Sequence, residues 1–256
     1  MSIRACERMT GVKHGTICDL VLHVGQNCDR FLQVAVQKVE AKFIEMDEIW
    51  GFVHCKAKIA ESKKLGSEVG DSWTWLAIDS DTKMVLSHAV GKRDESTCIR
   101  FLERLNKATV GKCQVTADGL ASYRYNVPLY LGSRVDFAQL IKTYASSQTE
   151  TRYSPATIIS AEKVARFGSP NMDRVSTSYS ERLNLSVRMH VRRFTRLTNA
   201  HSKKAAHHEA MISLFVAWYN FSRKHETLKG QTPAMASGLA SAPLSVEDLL
   251  TFAAAA

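Results

Sequence analysis

Three carboxylates, Asp47, Asp118 and Glu181, stand at positions where an acid calls for a reason. Asp47 falls in the middle of Phe43-Ile44-Glu45-Met46-Asp47-Glu48-Ile49-Trp50-Gly51-Phe52-Val53, which reads as a strand because Ile44, Met46, Ile49 and Phe52 alternate, imperfectly, with polar residues. A carboxylate in mid-strand is disfavoured by β-propensity and costly to bury unpaired, so a basic partner or a metal ion must offset it. Asp118 closes a short run from Cys113 and precedes Gly119, as at a strand end, and Glu181 lies in the first turn of a helix expected from Ser178. If the two strands are sheet neighbours, Asp47 and Asp118 reach one end of one face, and the helix can bring Glu181 to that edge. Shared carboxylate oxygens of this kind are what two hard divalent cations about 3.5–4 Å apart require. Left empty, each pair of carboxylates 4 Å apart repels by about 1 kcal/mol in water and about 4 kcal/mol at an effective dielectric of 20.

Each acid also has a plainer reading. Asp47 can pair with a buried Arg or Lys. Asp118-Gly119 can be only a turn. Glu181 fits a Ser-x-x-Glu capping box with Ser178, and Glu150, Glu162 and Asp173 are rival third acids. Asp79 and Asp81 read as hairpin-turn residues. His207-His208-Glu209 looks like a ligand set, but adjacent helical histidines point about 100° apart, which favours a surface or core role.

The helix after Glu181 is basic. Arg188, Arg192 and Arg196 recur every four residues and form one row with Glu181 near its head, while Leu183, Val187, Val191 and Phe194 make the opposing core stripe. A carboxylate leading a file of guanidiniums suits a metal site that meets one phosphodiester among others; a solvated basic face is the plainer alternative.

The elements that must position these residues follow from patterning. Residues 2–25 carry a helix-turn-helix pattern turned at Gly11, with Ile17, Leu20, Val21 and Val24 on one face of the second helix and Lys13, His14 and Thr16 at its leading end, where DNA contacts usually originate. Residues 26–40 read as a helical linker and 54–72 as a mobile basic loop. Trp73–Ile78 and Met84–Val90 read as a hairpin, followed by a helix capped by Asp94 or Ser96 and a further strand over Arg134–Ala138. Residues 142–178 read as an irregular connection. Helices are expected from Ser178 past Leu197 and over Ala205–Ser222, and a poorly ordered tail after that. This order predicts an α/β fold, a mixed sheet with flanking helices. The expected divisions are a helix-turn-helix unit with its linker over 1–38, a catalytic domain over 39–232 and a tail over 233–256.

Composition narrows the partners. The 256 residues hold 34 Lys and Arg against 25 Asp and Glu, a net charge of +9, which favours a polyanion such as nucleic acid. Six cysteines form no C-x-x-C pair, so reduced thiols are expected. The chain opens without a signal-peptide pattern, and its longest apolar run, Met211–Phe221, is too short to span a bilayer. A cytoplasmic protein without membrane partners is the expectation.

The runs Met46-Asp47-Glu48-Ile49-Trp50, Thr116-Ala117-Asp118-Gly119 and Ser180-Glu181-Arg182-Leu183-Asn184-Leu185-Ser186-Val187-Arg188 resemble the transposases of bacterial insertion sequences, above all the "insertion sequence one" type. Trp218 to His225 with Thr232-Pro233-Ala234, and the opening from Ser2 to Val12, resemble further motifs of such enzymes, so the resemblance covers about residues 2–235. It implies a ribonuclease-H-like fold with an Asp-Asp-Glu triad at Asp47, Asp118 and Glu181, binding Mg²⁺, with Mn²⁺ as a substitute. It also implies a basic residue seven positions after the Glu, which is Arg188. On this reading the chain cuts double-stranded DNA at an element's terminal repeats and joins the freed 3′-hydroxyl to target DNA. Arg188, Arg192 and Arg196 contact the backbone, at least a dimer assembles on DNA, and the protein associates with the bacterial nucleoid. The rivals are a ribonuclease-H-like nuclease or resolvase without strand transfer, and a non-catalytic helix-turn-helix regulator.

Overall fold

Eleven residues, Phe43–Val53, form β1, the strand on which the sheet is built. The structure is a computed structural model and describes residues 2–144, 158–195 and 199–255. Ahead of β1 come α1 (Ile3–Thr10) and α2 (His14–Ala35). After it come α3 (Ala57–Ser62), β2 (Gly70–Asp79), β3 (Val85–Gly91), α4 (Glu95–Ala108), β4 (Cys113–Ala117), α5 (Ala121–Leu131), β5 (Val135–Tyr144) and β6 (Ile158–Phe167). The chain closes with α6 (Ser178–His190), α7 (Ala205–Phe221), α8 (Pro233–Ala236) and α9 (Val246–Ala255).

The strands form one mixed sheet in the order β3-β2-β1-β4-β5-β6. β1, β2 and β3 are antiparallel neighbours, β4 and β5 run parallel to β1, and β6 returns antiparallel on β5. The expected hairpin is β2–β3, whose turn is closed by Asp79: its carboxylate accepts the N–H groups of Asp81 and Thr82 at 3.2 Å each. Helices cover both faces. Ser87 donates to the Phe101 carbonyl of α4, whereas the next residue, His88, meets Ser213 of α7, so α4 and α7 lie on opposite sides of β3. The expected mixed α/β sheet with flanking helices is therefore present.

Packing decides several details that patterning missed. α2 is one unbroken helix, so the segment expected as a linker continues it, and Val24, Cys28 and Leu32 are buried in the same core as Ile44 and Met46. α2 crosses α7 so closely that a Cβ on Gly25 would lie 2.1 Å from the Ala210 carbonyl oxygen. Leu20, expected to face inward, is exposed. The loop expected over 54–72 holds α3, and the connection expected over 142–178 holds β6, an edge strand whose exposed polar residues hide its period. The tail is not structureless: α9 packs on α2, and Leu249 is buried.

The basic helix also differs from expectation. α6 ends at His190. Val191 takes extended backbone and a short 3-10 turn follows over Arg192–Phe194. Val191 and Phe194 nonetheless stay in the core, as the stripe predicted, and Phe194 fits because Gly51 opposite has no side chain: a Cβ there would stand 3.2 Å from the ring.

Candidate active site

β1 pairs with β4 only as far as Met46 and Ala117. Beyond that point β4 ends, Asp118 turns away, and β1 runs on without a β4 partner until Val53 bridges Ser202. The gap between them is where the acids gather. Oxygens of Asp47, Glu48 and Asp118 all lie within 4.8 Å of one another. Neighbours in a strand point to opposite faces, and here Asp47 reaches the gap from the α6 face while Glu48 reaches it from the α5 face, where Tyr123 lies. The gap opens into a cleft of about 650 Å³ that Asp47, Arg93, Asp118, Lys142, Thr177 and Glu181 help to line.

Each acid is held. Asp47 accepts the Glu48 N–H at 2.8 Å and the Asn184 side-chain amide at 2.8 Å. Glu48 accepts the Tyr123 hydroxyl and, at 3.1 and 3.0 Å, the Nε and Nη2 of Arg93. The same Arg93 Nη2 lies 3.1 Å from Asp118, so one guanidinium bridges two acids. Asp118 also accepts the Leu120 N–H at 2.9 Å, so it is a turn residue as well as a cleft acid. Gln139 donates to the carbonyls of Asp118 and Leu120, fixing that turn to β5.

Glu181 enters from α6 and is not part of the three-acid cluster. Its carboxylate is engaged by Lys142 of β5 and by the Thr177 hydroxyl at 2.8 Å. The Ser178 capping box does not form; Thr177 is the N-cap and makes no side-chain cap bond. Glu45 supplies the missing acceptor, taking the N–H groups of Tyr179 and Ser180 at 2.7 and 3.0 Å. A carboxylate of β1 thereby anchors the positive end of the helix that presents Glu181.

The electrostatics record the crowding. Burial, then the Asp118 carboxylate, pushes Asp47 up to about 7. The same two causes push Glu48 up to about 8 despite its cationic and phenolic partners. Burial works to raise Glu181 too, but the Lys142 ammonium and the Thr177 hydroxyl outweigh it and hold the group below the usual range. Arg93 and Lys142 line the cleft and face these acids.

The structure thus brings Asp47, Asp118 and Glu181 to one cleft. Glu162 lies exposed on β6 and Asp173 exposed in a 3-10 turn, neither lining the cleft, and Glu150 lies outside the described residues. Lys13, His14 and Thr16 are exposed at the leading end of α2. His14 is tied down by Glu7, which accepts its backbone N–H and its ring nitrogen at 3.0 Å each, in place of an N-cap side chain. Arg188 sits half-buried on α6 and Arg192 is exposed in the 3-10 turn, so the expected row is broken after its first member; Arg196 lies outside the described residues. His208 is buried, with its Nδ1 2.7 Å from the Ser202 hydroxyl, the core role expected. The sequence did not single out Arg93 and Lys142, which line the cleft, or Glu48 and Asn184, which meet its acids from beside it.

Comparison with known proteins finds likenesses to transposases. Residues 41–145, from just before β1 to just past β5, match the family model described as IS1 transposase. The curated protein "Insertion element iso-IS1n protein InsB" of Shigella dysenteriae is 25% identical over 183 residues, covering 71% of this chain and 98% of its own. The solved piggyBac transposase synaptic complex with hairpin DNA is 11% identical with a TM-score of 0.33 over 89% of this chain; the chain spans 56% of that one's length, a likeness too loose to bear on the fold. The family model and the curated relative are both of the IS1 transposase type, the resemblance already visible in the chain's motifs. Asp47, Glu48 and Asp118 fall inside the matched segment and Glu181 outside it. Among the described residues no helix is long and apolar enough to cross a membrane.

Proposed function

We propose that this chain is a DDE-type DNA transposase that cleaves phosphodiesters at the ends of its element and transfers the freed strand into target DNA. The observation that carries the reading is the meeting of Asp47 and Asp118 at the gap between β1 and β4, with Glu181 lining the same cleft. The mixed sheet, three antiparallel strands followed by two parallel ones, supports a ribonuclease-H-like core.

The residues fit a divalent cation. Hard cations take carboxylate oxygens, three such groups converge within 4.8 Å, and the raised pKa values of Asp47 and Glu48 register a shortage of positive charge that Arg93 does not make good. Asp47 and Asp118 would hold Mg²⁺ or Mn²⁺, with Glu181 as a further ligand once it parts from Lys142. Such an ion, when bound, lowers the pKa of an attacking water or hydroxyl and stabilises charge on the phosphoryl oxygens.

The chain's own groups supply the rest. In the first step a water oxygen bonds to phosphorus and the P–O3′ bond breaks, leaving a 3′-hydroxyl. In the second that hydroxyl attacks a target phosphodiester and a target 3′-oxygen leaves, so no enzyme–DNA bond is needed. Arg93 and Lys142, released from Asp118 and Glu181, become available to the phosphate oxygens. Asn184 keeps Asp47 oriented, and Glu45 keeps α6 in place. Arg188, Arg192 and Arg196 contact flanking backbone, and Lys13, His14 and Thr16 meet the terminal repeat from a helix-turn-helix formed by α1 and α2. Two ends must be joined, so the working form is at least a dimer, acting in the bacterial cytoplasm on the nucleoid.

Asp118→Asn tests the reading. The variant is expected to bind the terminal-repeat duplex as wild type does and to lose nicking in Mn²⁺. Retained nicking contradicts the assignment, and wild-type binding without any nicking favours the regulator.

A further inference from the structure

Glu48 shares its face of β1 with Trp50 and Phe52, the residues two and four positions on. Trp50 stands in register with Trp73 of β2, so the two side chains leave the sheet together. All three aromatics are half-buried. The rings of Trp50 and Phe52 are 5.7 Å apart, and that of Phe52 is 4.7 Å from His201. Cations accompany them: the Lys56 ammonium lies 5.7 Å above Trp50, and the Arg93 guanidinium 4.9 Å above Trp73.

We infer that Trp73, Trp50, Phe52 and His201 form a stacking site for unpaired nucleotides of the DNA on which the cleft acts. Arg93 connects the two places, lying over Trp73 while bonded to Glu48 and Asp118. From Glu48 to Phe52 the strip extends about 13 Å along the strand, room for a few bases. Interleaved rings and cations are the chemistry of single-strand binding: each base presents a π-face, each cation meets a phosphate, and no sequence is read. A duplex keeps its base faces stacked inside and offers the rings nothing. The occupant is therefore the frayed or single-stranded DNA at a strand end, held beside the acids. This site rests on the reading of the chain as a DNA-cutting transposase.

The test uses the full chain in EDTA, so that cleavage cannot intervene. Three labelled probes are compared by fluorescence anisotropy: an oligothymidylate, an abasic oligonucleotide of equal length and a fully paired duplex. Wild type is expected to prefer the oligothymidylate over the abasic probe by about tenfold, with quenching of tryptophan fluorescence on binding. Trp50→Leu and Phe52→Leu should each remove most of that preference and leave abasic and duplex binding unchanged. If Trp50→Leu fails to fold by circular dichroism, Phe52→Leu and the wild-type quenching decide. Equal wild-type affinity for the oligothymidylate and abasic probes, or equal weakening on all three probes in the variants, overturns the stacking site while duplex binding leaves the transposase reading standing. Absence of wild-type binding to any probe overturns both.

Discussion

Asn184 reaches from α6 to Asp47 of β1, donating its Nδ2 to Oδ2 at 2.8 Å across 137 positions of sequence. The bond sets the rotamer of an acid that crowding would otherwise drive towards solvent, and it ties the helix carrying Glu181 to the strand carrying Asp47. Asn184→Ala should leave the fold intact, because Leu183 and Val187 hold α6 in the core. It should cost about 1–3 kcal/mol, read as a melting point lower by about 2–12 °C, and weaken Mn²⁺ binding by calorimetry. Unchanged metal affinity would mean that Asn184 only braces α6.

The raised acids make stability depend on pH. Asp47 moves from 3.8 to about 7 and Glu48 from 4.5 to about 8. The folded protein therefore holds protons that the unfolded chain releases. The associated stability is complete below about pH 4 and is lost as the pH rises through 7 and 8. Asp47→Asn cannot lose its share, so its stability relative to wild type should climb across that window, by at most about 1.4 kcal/mol per pH unit. Urea titrations at pH 5 and pH 8 check this, and Mn²⁺ should close the difference at pH 8 by stabilising wild type alone. A difference that is flat with pH would show Asp47 to be an ordinary carboxylate.

Arg93 answers to the same titration. The Glu48 side chain is 1% exposed against 36% for Arg93. Arg93→Gln therefore removes the cation beside a buried acid and keeps a hydrogen-bonding group. While Glu48 is protonated the loss should be about 1 kcal/mol. Above pH 8 it should approach about 3 kcal/mol, the low end for breaking a buried pair, since the arginine is partly solvated. Glu48→Gln placed in the same chain should erase the pH-dependent part. Equal losses at pH 6 and pH 9 would contradict the raised pKa of Glu48.

Much of the fold was legible because its signals are local. The β2–β3 hairpin has its Asp79 turn, α4 has its Asp94 cap, and the stripe of Leu183, Val187, Val191 and Phe194 is buried as read, although it runs past the end of α6. The cleft was legible only in its acids. Glu48 sat in view beside Asp47, but alternation assigned it to the far face, and the strand end read at Asp118 does not reveal that β1 extends past β4 and leaves a gap there. Arg93 and Lys142 come from a loop and a strand paired to the site by topology. The break after His190 was hidden for a related reason: Val191 and Phe194 suit both a continued helix and an extended turn, and packing under Gly51 decides between them.

The C-terminal segment offers a test independent of the chemistry. Leu249 of α9 is buried in the shared core, on a helix that packs against α2. Leu249→Ala should cost about 2–4 kcal/mol, visible in chemical denaturation. Leu250→Ala, on the exposed side, should cost under about 0.5 kcal/mol. Equal, small effects would return residues 246–255 to the loose tail expected from sequence.

The most direct measurement follows a labelled duplex carrying the element's terminal repeat, incubated with the protein, Mn²⁺ and a second duplex as target, with Glu181→Gln alongside. Wild type alone is expected to nick to a 3′-hydroxyl and then to join that end to the target. Nicking without joining, or joining by Glu181→Gln at the wild-type rate, would contradict that expectation.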